Sequence, residues 1–335
     1  MTRALVTGVP GWLGSRLVER LVDAGRPVRV LTHGARASSP SAADVETVEG
    51  DLTDAASLEP FVRGAEGGTL FHAAGVIHPT RGVKQFYAVN DRGTRQLLDA
   101  AIGAGVRRFV HVSSNSPIGT NPTREHLFDE DAPYNPYMHY GRSKKLGEDH
   151  VNAAGASRRI ETVIIRPPWF YGPGQPERQA RFFRMIRDGQ VPIVGDGGNV
   201  RSMAYVDNIC QGLMLCESVA RANGRTYWIA DRRPYTMNEI VDTIESVLEQ
   251  DFAIRVAHKR RHLPAVVSDV ALLADKVIQG AGFYVPEVHV LSEMSRSIAC
   301  SIDRARTELG YEPAIELREG MRRSIEWMLA NGQPL

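Results

Sequence analysis

The sequence predicts an α/β fold, a doubly wound parallel sheet followed by a smaller C-terminal part. Three observations carry that reading. Short apolar runs alternate with helix-period segments through the first half, the pattern of parallel strands joined by crossover helices. The first apolar run ends in a glycine cluster where a helix begins. After Pro167 the texture changes: Pro167, Pro168, Gly172, Pro173, Gly174 and Pro176 crowd together, which marks a boundary or a shaped loop.

Taken in order, Arg3–Thr7 reads as a buried strand. Leu13, Leu17, Val18, Leu21 and Val22 then recur at helical spacing until Gly25 and Pro27 stop the pattern. Val28–Leu31, Val45–Val48 and Thr69–His72 are the next strands. A long helix follows over Lys84–Gly105, with Phe86, Val89, Leu97, Leu98 and Ile102 on one side. Phe109–Ser113 is another strand, a second long helix covers about Tyr140–Ala154, and Thr162–Arg166 is the strand after it. Ligands of such sheets bind outside the carboxyl ends of the strands. Beyond the proline cluster, helices are expected near Arg178–Asp188, Asp207–Ala222, Met237–Glu249 and Leu317–Asn331. The run His258-Lys259-Arg260-Arg261-His262 precedes an apolar stretch from Leu263 to Val285. It is read as a solvated face beside a substrate-covering helix, with contact to a membrane surface as the lesser alternative.

Composition narrows the function classes. The chain has 335 residues, 40 Lys+Arg against 39 Asp+Glu, and is 43% hydrophobic, enough for a full core. The balanced charge argues against a nucleic-acid partner. No apolar run approaches the roughly 20 residues that cross a bilayer, and the opening segment is too soon broken by glycine for a secretory leader. Cys210, Cys216 and Cys300 are odd in number, widely spaced and without metal-ligand pattern, so free thiols in a reducing cytoplasm and no metal are expected.

Thr7-Gly8-Val9-Pro10-Gly11-Trp12-Leu13-Gly14 follows the first strand and opens the first helix. Glycines let the backbone approach a bulky anion, and the helix N-terminus offers free N–H groups and partial positive charge. A pyrophosphate is the natural occupant. The spacing is G-x-x-G-x-x-G rather than the ordinary dinucleotide G-x-G-x-x-G. NAD-binding chains place a carboxylate about 20 residues on, at the end of the second strand. Here Thr32 and His33 stand there, with Arg36 and Ser38 close by. No acid is present to repel a 2′-phosphate, so the reading favours NADP over NAD; the bland alternative makes His33 and Arg36 solvated loop residues.

Tyr140 and Lys144 lie four residues apart on one helix face. A neighbouring ammonium favours the phenolate, so the pair can exchange a proton with a substrate hydroxyl or carbonyl near neutral pH. The fifth strand ends in His111-Val112-Ser113-Ser114-Asn115-Ser116, where a hydroxyl could bond the reacting oxygen; a plain serine-rich turn is the alternative.

Together these segments resemble an extended short-chain dehydrogenase/reductase of the NAD(P)-dependent epimerase/dehydratase superfamily, nearer its 3β-hydroxysteroid dehydrogenase-like and carbonyl reductase branches. Further matches are Gly50-Asp51-Leu52, His72-Ala73-Ala74-Gly75, Asn90-Asp91-Arg92-Gly93-Thr94, Ser113-Ser114 before Gly119, and Arg166-Pro167 with Tyr171-Gly172-Pro173-Gly174. Arg201 to Asn208 and Leu309-Gly310-Tyr311-Glu312-Pro313 complete the series. The resemblance implies a Rossmann domain over residues 1–168 and a mainly substrate-binding domain over 169–335, with some segments returning to the first. It assigns catalysis to Ser114, Tyr140, Lys144 and Asn90. It places the cofactor against Gly8, Gly11, Trp12, Leu13, Thr32, His33, Arg36, Asp51, Leu52, Ala73, Ala74, Gly75 and Pro167, together with Tyr140 and Lys144. Asn115, Ser116, Trp169 and Arg201 are its substrate contacts, and a homodimer through the two long helices is its usual assembly.

Departures from the family pattern narrow the activity. Sugar-nucleotide dehydratases carry an Asp-Glu pair after the catalytic hydroxyl; Asn115 and Ser116 cannot serve as that acid/base pair. Many epimerases have asparagine where Trp169 stands, and an indole there favours an apolar or aromatic substrate. Arg201 pulls towards a phosphate-bearing substrate. The expectation is an NAD(P)-dependent oxidoreductase interconverting a secondary alcohol and a ketone on a mid-sized, largely apolar (steroid- or polyketide-like) substrate. A nucleotide-sugar epimerase is the runner-up, and a cofactor-binding regulator without turnover the third reading.

Overall fold

The computed structural model describes residues 2–34 and 45–335. Six strands from the first half, β1 (Ala4–Val9), β2 (Val28–Thr32), β3 (Val45–Glu49), β4 (Thr69–His72), β5 (Arg108–Val112) and β6 (Glu161–Arg166), form one sheet. A seventh, Arg225–Trp228, joins it from beyond the proline cluster. The spatial order is Arg225–Trp228, β6, β5, β4, β1, β2, β3, and every neighbouring pair is parallel. The chain thus runs outward from β1 through β2 to β3, then returns to β1's other side at β4. Crossovers diverge at that reversal and leave a crevice at the strands' carboxyl ends.

Burial explains the strand sequences. β2, β4 and β5 are buried throughout, because helices cover both faces. β3 is the edge strand and half exposed, and its Glu46 and Glu49 discourage pairing with another chain. One face packs Ala4, Val6 and Val30 against Leu13, Leu17, Val18 and Leu21 of helix Trp12–Asp23 and Ile209 and Leu213 of helix Val206–Ser218. The opposite face packs Leu5, Leu31, Leu70 and Phe109 against Leu97, Leu98 and Ala101 of helix Thr94–Gly103 and Val151 and Ala154 of helix Met138–Ala156. Adjacent strand residues serve opposite layers, as the period of two requires.

The helix expected over Lys84–Gly105 is not uniform. Between Lys84–Phe86 and Thr94–Gly103 lies a π-helical turn, Tyr87–Gly93, a feature that hydrophobic spacing does not reveal. The helix expected over Asp207–Ala222 ends at Ser218, and a separate 3₁₀ turn spans Ala220–Ala222. The C-terminal part has its own apolar cluster, where helices Glu177–Arg187, Met237–Phe252 and Leu317–Ala330 enclose Tyr171, Met203 and Tyr205.

Under the crevice the sheet interior is polar. His72 and His111 are register partners on β4 and β5, their ring centroids 5.3 Å apart and both fully buried. His72 bonds Thr7 Oγ1 through Nδ1 (2.8 Å) and Thr94 Oγ1 through Nε2 (3.0 Å). Among the described residues, His111 has no hydrogen-bond partner at either ring nitrogen. Burial, with the Lys144 charge nearby, pushes His72 down to about 3 and His111 well below its ordinary value. Both rings are therefore neutral in the fold, and the unfolded chain takes up their protons first. Their contribution to stability is complete above about pH 6.5 and is lost as pH falls below it, by up to about 1.4 kcal/mol per pH unit for each ring. His111→Leu should flatten the acid side of the stability curve by one such slope. Urea titrations of both proteins at pH 7, 6 and 5 measure this, and parallel curves would refute it.

Candidate active site

The crevice at the β1–β4 switch point is a cleft of about 900 Å³. Gly8, Gly11, Trp12, Leu13, Thr32, His33, Asp51, Leu52, Ala73, Ala74 and Gly75 all line it, so these expected cofactor contacts share one wall system. Arg36 lies outside the described residues. Pro167 is buried just after β6 and is not among the cleft walls.

The glycines in this turn are required by distance. A Cβ on Gly8, whose φ is +90°, would lie 2.7 Å from the Ala73 carbonyl carbon. One on Gly11 would lie 2.7 Å, and one on Gly14 2.3 Å, from the Gly8 carbonyl oxygen. Strand end, helix start and the segment after β4 therefore meet backbone to backbone. The Trp12 indole N–H donates to the Pro173 carbonyl (2.6 Å), fastening the proline cluster over the helix start.

Asn90 sits in the π-helical turn and is 1% exposed. Its Oδ1 accepts from the Val76 N–H (2.8 Å), and its Nδ2 donates to the Val76 carbonyl (2.9 Å) and to Ser143 Oγ (3.0 Å). The whole carboxamide is thus engaged between a cleft wall and helix Met138–Ala156.

That helix carries Tyr140 and Lys144. Ser114, just past β5, lies near enough to the Tyr140 phenol to favour its ionised form. Its Oγ also accepts from the Ser116 N–H (3.3 Å). Ser113 is committed elsewhere: its Oγ donates to Glu148 (2.5 Å), a carboxylate that Arg166 and Tyr134 also hold. Of the two serines, Ser114 is the one that meets the tyrosine. Lys144 donates to the Val112 carbonyl (2.7 Å), and a Cβ on Gly75 would lie 3.8 Å from its Nζ, so the ammonium stands against the cleft wall. Burial brings Lys144 down to about 8.

Burial pushes the Tyr140 phenol above its ordinary value, and nearby Ser114 and the charge of Arg178 pull it back. The sequence assigned the easing charge to Lys144; Arg178 is a second cation that favours the phenolate. Arg178 opens helix Glu177–Arg187, lines the cleft, and has neither hydrogen bond nor ion pair among the described residues. Sequence reasoning missed it because its position depends on the loop through the proline cluster. Phe170 was also missed; it lines the cleft 6.2 Å from the Trp12 ring. His78 and Tyr284 (Nδ1 to OH, 3.1 Å) form a third unforeseen group, joined to Tyr140 through the Phe86 ring.

The expected substrate contacts are less tightly grouped. Asn115 and Ser116 adjoin Ser114. Trp169 packs tilted against Phe182 (5.6 Å) and is not a wall of the main cleft. Arg201 donates to the Glu293 carbonyl (2.5 Å), while its Nε has no partner among the described residues.

Comparisons with known proteins follow this geometry. The NAD dependent epimerase/dehydratase family matches residues 4–230. An uncharacterized protein of Sinorhizobium fredii is 47% identical over 98% of this chain and 96% of its own length. A 3 beta-hydroxysteroid dehydrogenase/Delta 5-->4-isomerase of Mycobacterium tuberculosis is 29% identical over 98% of this chain and 90% of its own. Among solved structures, the dTDP-glucose 4,6-dehydratase of Streptomyces venezuelae with NAD and TYD bound superposes with a TM-score of 0.78 at 26% identity, covering 98% of each chain. Glycine turn, seven-stranded parallel sheet and family match agree: this chain belongs to the NAD dependent epimerase/dehydratase family and is an extended short-chain dehydrogenase/reductase enzyme.

Proposed function

We propose that this enzyme interconverts a secondary alcohol and a ketone on a mid-sized, largely apolar substrate, using NADP in preference to NAD. The observation that carries the reading is that one helix holds Tyr140, close to Ser114, and sets Lys144 against Gly75 of the glycine-lined cleft. The cleft suits a dinucleotide, because glycines alone let the strand end, the helix start and the segment after β4 meet backbone to backbone there, with the first helix opening on the cleft. Such a cofactor supplies the hydride acceptor or donor.

The chain's own residues then divide the remaining work. Tyr140 keeps its proton at neutral pH, because burial disfavours the phenolate. It is therefore poised to protonate the oxygen of a ketone undergoing reduction. Ser114 would orient that oxygen, and Lys144, set against Gly75 of the cleft, would hold the cofactor's ribose. Asn90 is a positioning residue, since its amide is fully engaged with Val76 and Ser143. The preference for NADP rests on Thr32 and His33 closing β2 without a carboxylate, although Asp51 stands 3.7 Å from His33.

The substrate assignment rests on Asn115 and Ser116 in place of an acid pair and on Phe170 and Trp12 in the cleft. It is in keeping with the relative named as a 3 beta-hydroxysteroid dehydrogenase. Nucleotide-sugar epimerisation is the second reading; the unpartnered Arg201 Nε and the unpaired Arg178 favour it. A net change in nicotinamide absorbance with a steroid or polyketide alcohol supports the first reading, and sugar inversion without net redox supports the second. We further infer a cytoplasmic homodimer formed through the helical run 84–103 and helix Met138–Ala156, with the segment after residue 168 mainly binding substrate.

Tyr140→Phe should lower kcat by at least about 100-fold, the usual worth of a positioned acid/base, while nucleotide binding by fluorescence titration stays intact. Full activity in that variant would remove the proposed mechanism. Because alcohol oxidation needs the phenolate, its kcat/KM should rise with pH. Arg178→Met should move that rise to higher pH, as the charge easing ionisation is gone; an unmoved profile would release Arg178 from this role. Gly14→Ala should cost about 1–3 kcal/mol of stability through overpacking and weaken nucleotide binding, both measurable by denaturant and ligand titration.

A further inference from the structure

We propose that the outer face of helix Val266–Gly280 docks on the surface of an anionic lipid bilayer, independently of which substrate the enzyme takes. The helix is turned inside out. Its buried side chains are Ser268, Ala271, Asp275 and Gln279. Its outward ones are Val266 (58% exposed), Val270 (60%), Leu273 (64%) and Val277 (73%), which fall on one stripe at helical spacing. Phe283 (68%) and Val290 (50%) extend the apolar surface past the helix end. A contiguous patch of this kind marks an interaction surface.

The orientation is fixed by the polar side. Asp275 pairs with His289 Nδ1 (2.8 Å) and accepts two bonds from Gln279 Nε2 (2.9 Å each). Ser268 Oγ donates to the Leu291 carbonyl (2.8 Å). Rotating the helix to bury its valines would strand all of these groups without partners. The apolar exterior is therefore specified by the fold.

Charge identifies the occupant. Arg255, Lys259 and Arg261 precede the helix, and Lys276 lies on it; all four are exposed and have no ion pair among the described residues. Asp269, the one acid on the exposed side of the helix, is neutralised by Arg296 (2.5 Å). Glu287 is the nearby exposed acid without an ion pair among the described residues. An exposed apolar stripe with Lys276 on its helix and unpaired cations in the chain just before it matches a bilayer surface with anionic headgroups. Twofold pairing with a second copy would instead bring Lys276 and the basic run of each copy towards those of the other. The 15-residue helix is too short to span a membrane, so it would lie in the interface plane. The surface also adjoins the cleft mouth: the Gly282 carbonyl accepts from the Val83 N–H (3.1 Å), next to the cleft residues Arg81 and Lys84.

The test is flotation of the full chain with vesicles of pure phosphatidylcholine and of phosphatidylcholine with phosphatidylglycerol. Binding should require the anionic lipid and weaken at high salt. Val270→Asp with Leu273→Asp should lower partitioning by roughly tenfold or more, and Lys259→Glu with Arg261→Glu should abolish the preference for anionic vesicles. All four positions are exposed, so thermal midpoints should hold. Absence of binding to anionic vesicles, or binding undiminished in the aspartate variant, overturns the proposal. So does a sedimentation-detected dimer that the aspartate variant dissociates while vesicles bind neither protein.

Discussion

One carboxamide holds the two halves of the site in register. Asn90 closes a pair of bonds on the main chain of Val76, which continues the cofactor-side wall, and donates to Ser143, between Tyr140 and Lys144 on their helix. A buried amide with all of these bonds made cannot slide without leaving a polar group unsatisfied, which fixes the helix relative to the cleft. The π-helical turn serves the same constraint. It aims Asn90 at the wall, while Gly93 lets the turn approach Leu52, where a Cβ would sit 3.0 Å from the Leu52 Cβ.

Electrostatics in the site follow from burial more than from pairing. Lys144 is brought down to about 8 and Tyr140 is pushed up, so each is shifted towards its neutral form. Glu148 restrains the first shift, and nearby Ser114 with Arg178 restrains the second. Glu148 is itself fully buried, yet it is matched by Arg166, Ser113 and Tyr134, the condition under which a buried carboxylate stays tolerable. The charges behind the tyrosine helix are thus satisfied within the protein, whereas Arg178 on the open side has no ion pair among the described residues.

What was legible in the sequence was whatever the chain writes locally. The glycine turn is one continuous segment whose spacing states its own geometry, and Tyr140 and Lys144 share a helix face by count alone. Strand identities were legible because a doubly covered sheet demands apolar runs. Arg178, Phe170 and the His78–Tyr284 bond were not, because each depends on contacts between segments far apart in the chain. Asn90 was named for its motif, but its partners could not be read there; Ser143 is 53 residues away. The choice of Ser114 over Ser113 came from the family's spacing, and the structure supplies the physical reason in the Glu148 carboxylate.

The inverted helix belongs to the same logic. Its buried polar groups do more than anchor it: Gln279 Oε1 accepts from the His139 N–H (3.3 Å), and Tyr137 bonds Ser292 (2.6 Å). Those contacts fall on the residues immediately before Tyr140, where the tyrosine helix begins and Met138 takes a positive φ of 54°. A start with a left-handed residue needs outside support, and helix Val266–Gly280 with its neighbour Pro286–Glu293 provides it. Turning polar groups inward to brace the tyrosine obliges the apolar ones to face out. The exposed stripe and the placement of Tyr140 are therefore two consequences of one set of hydrogen bonds.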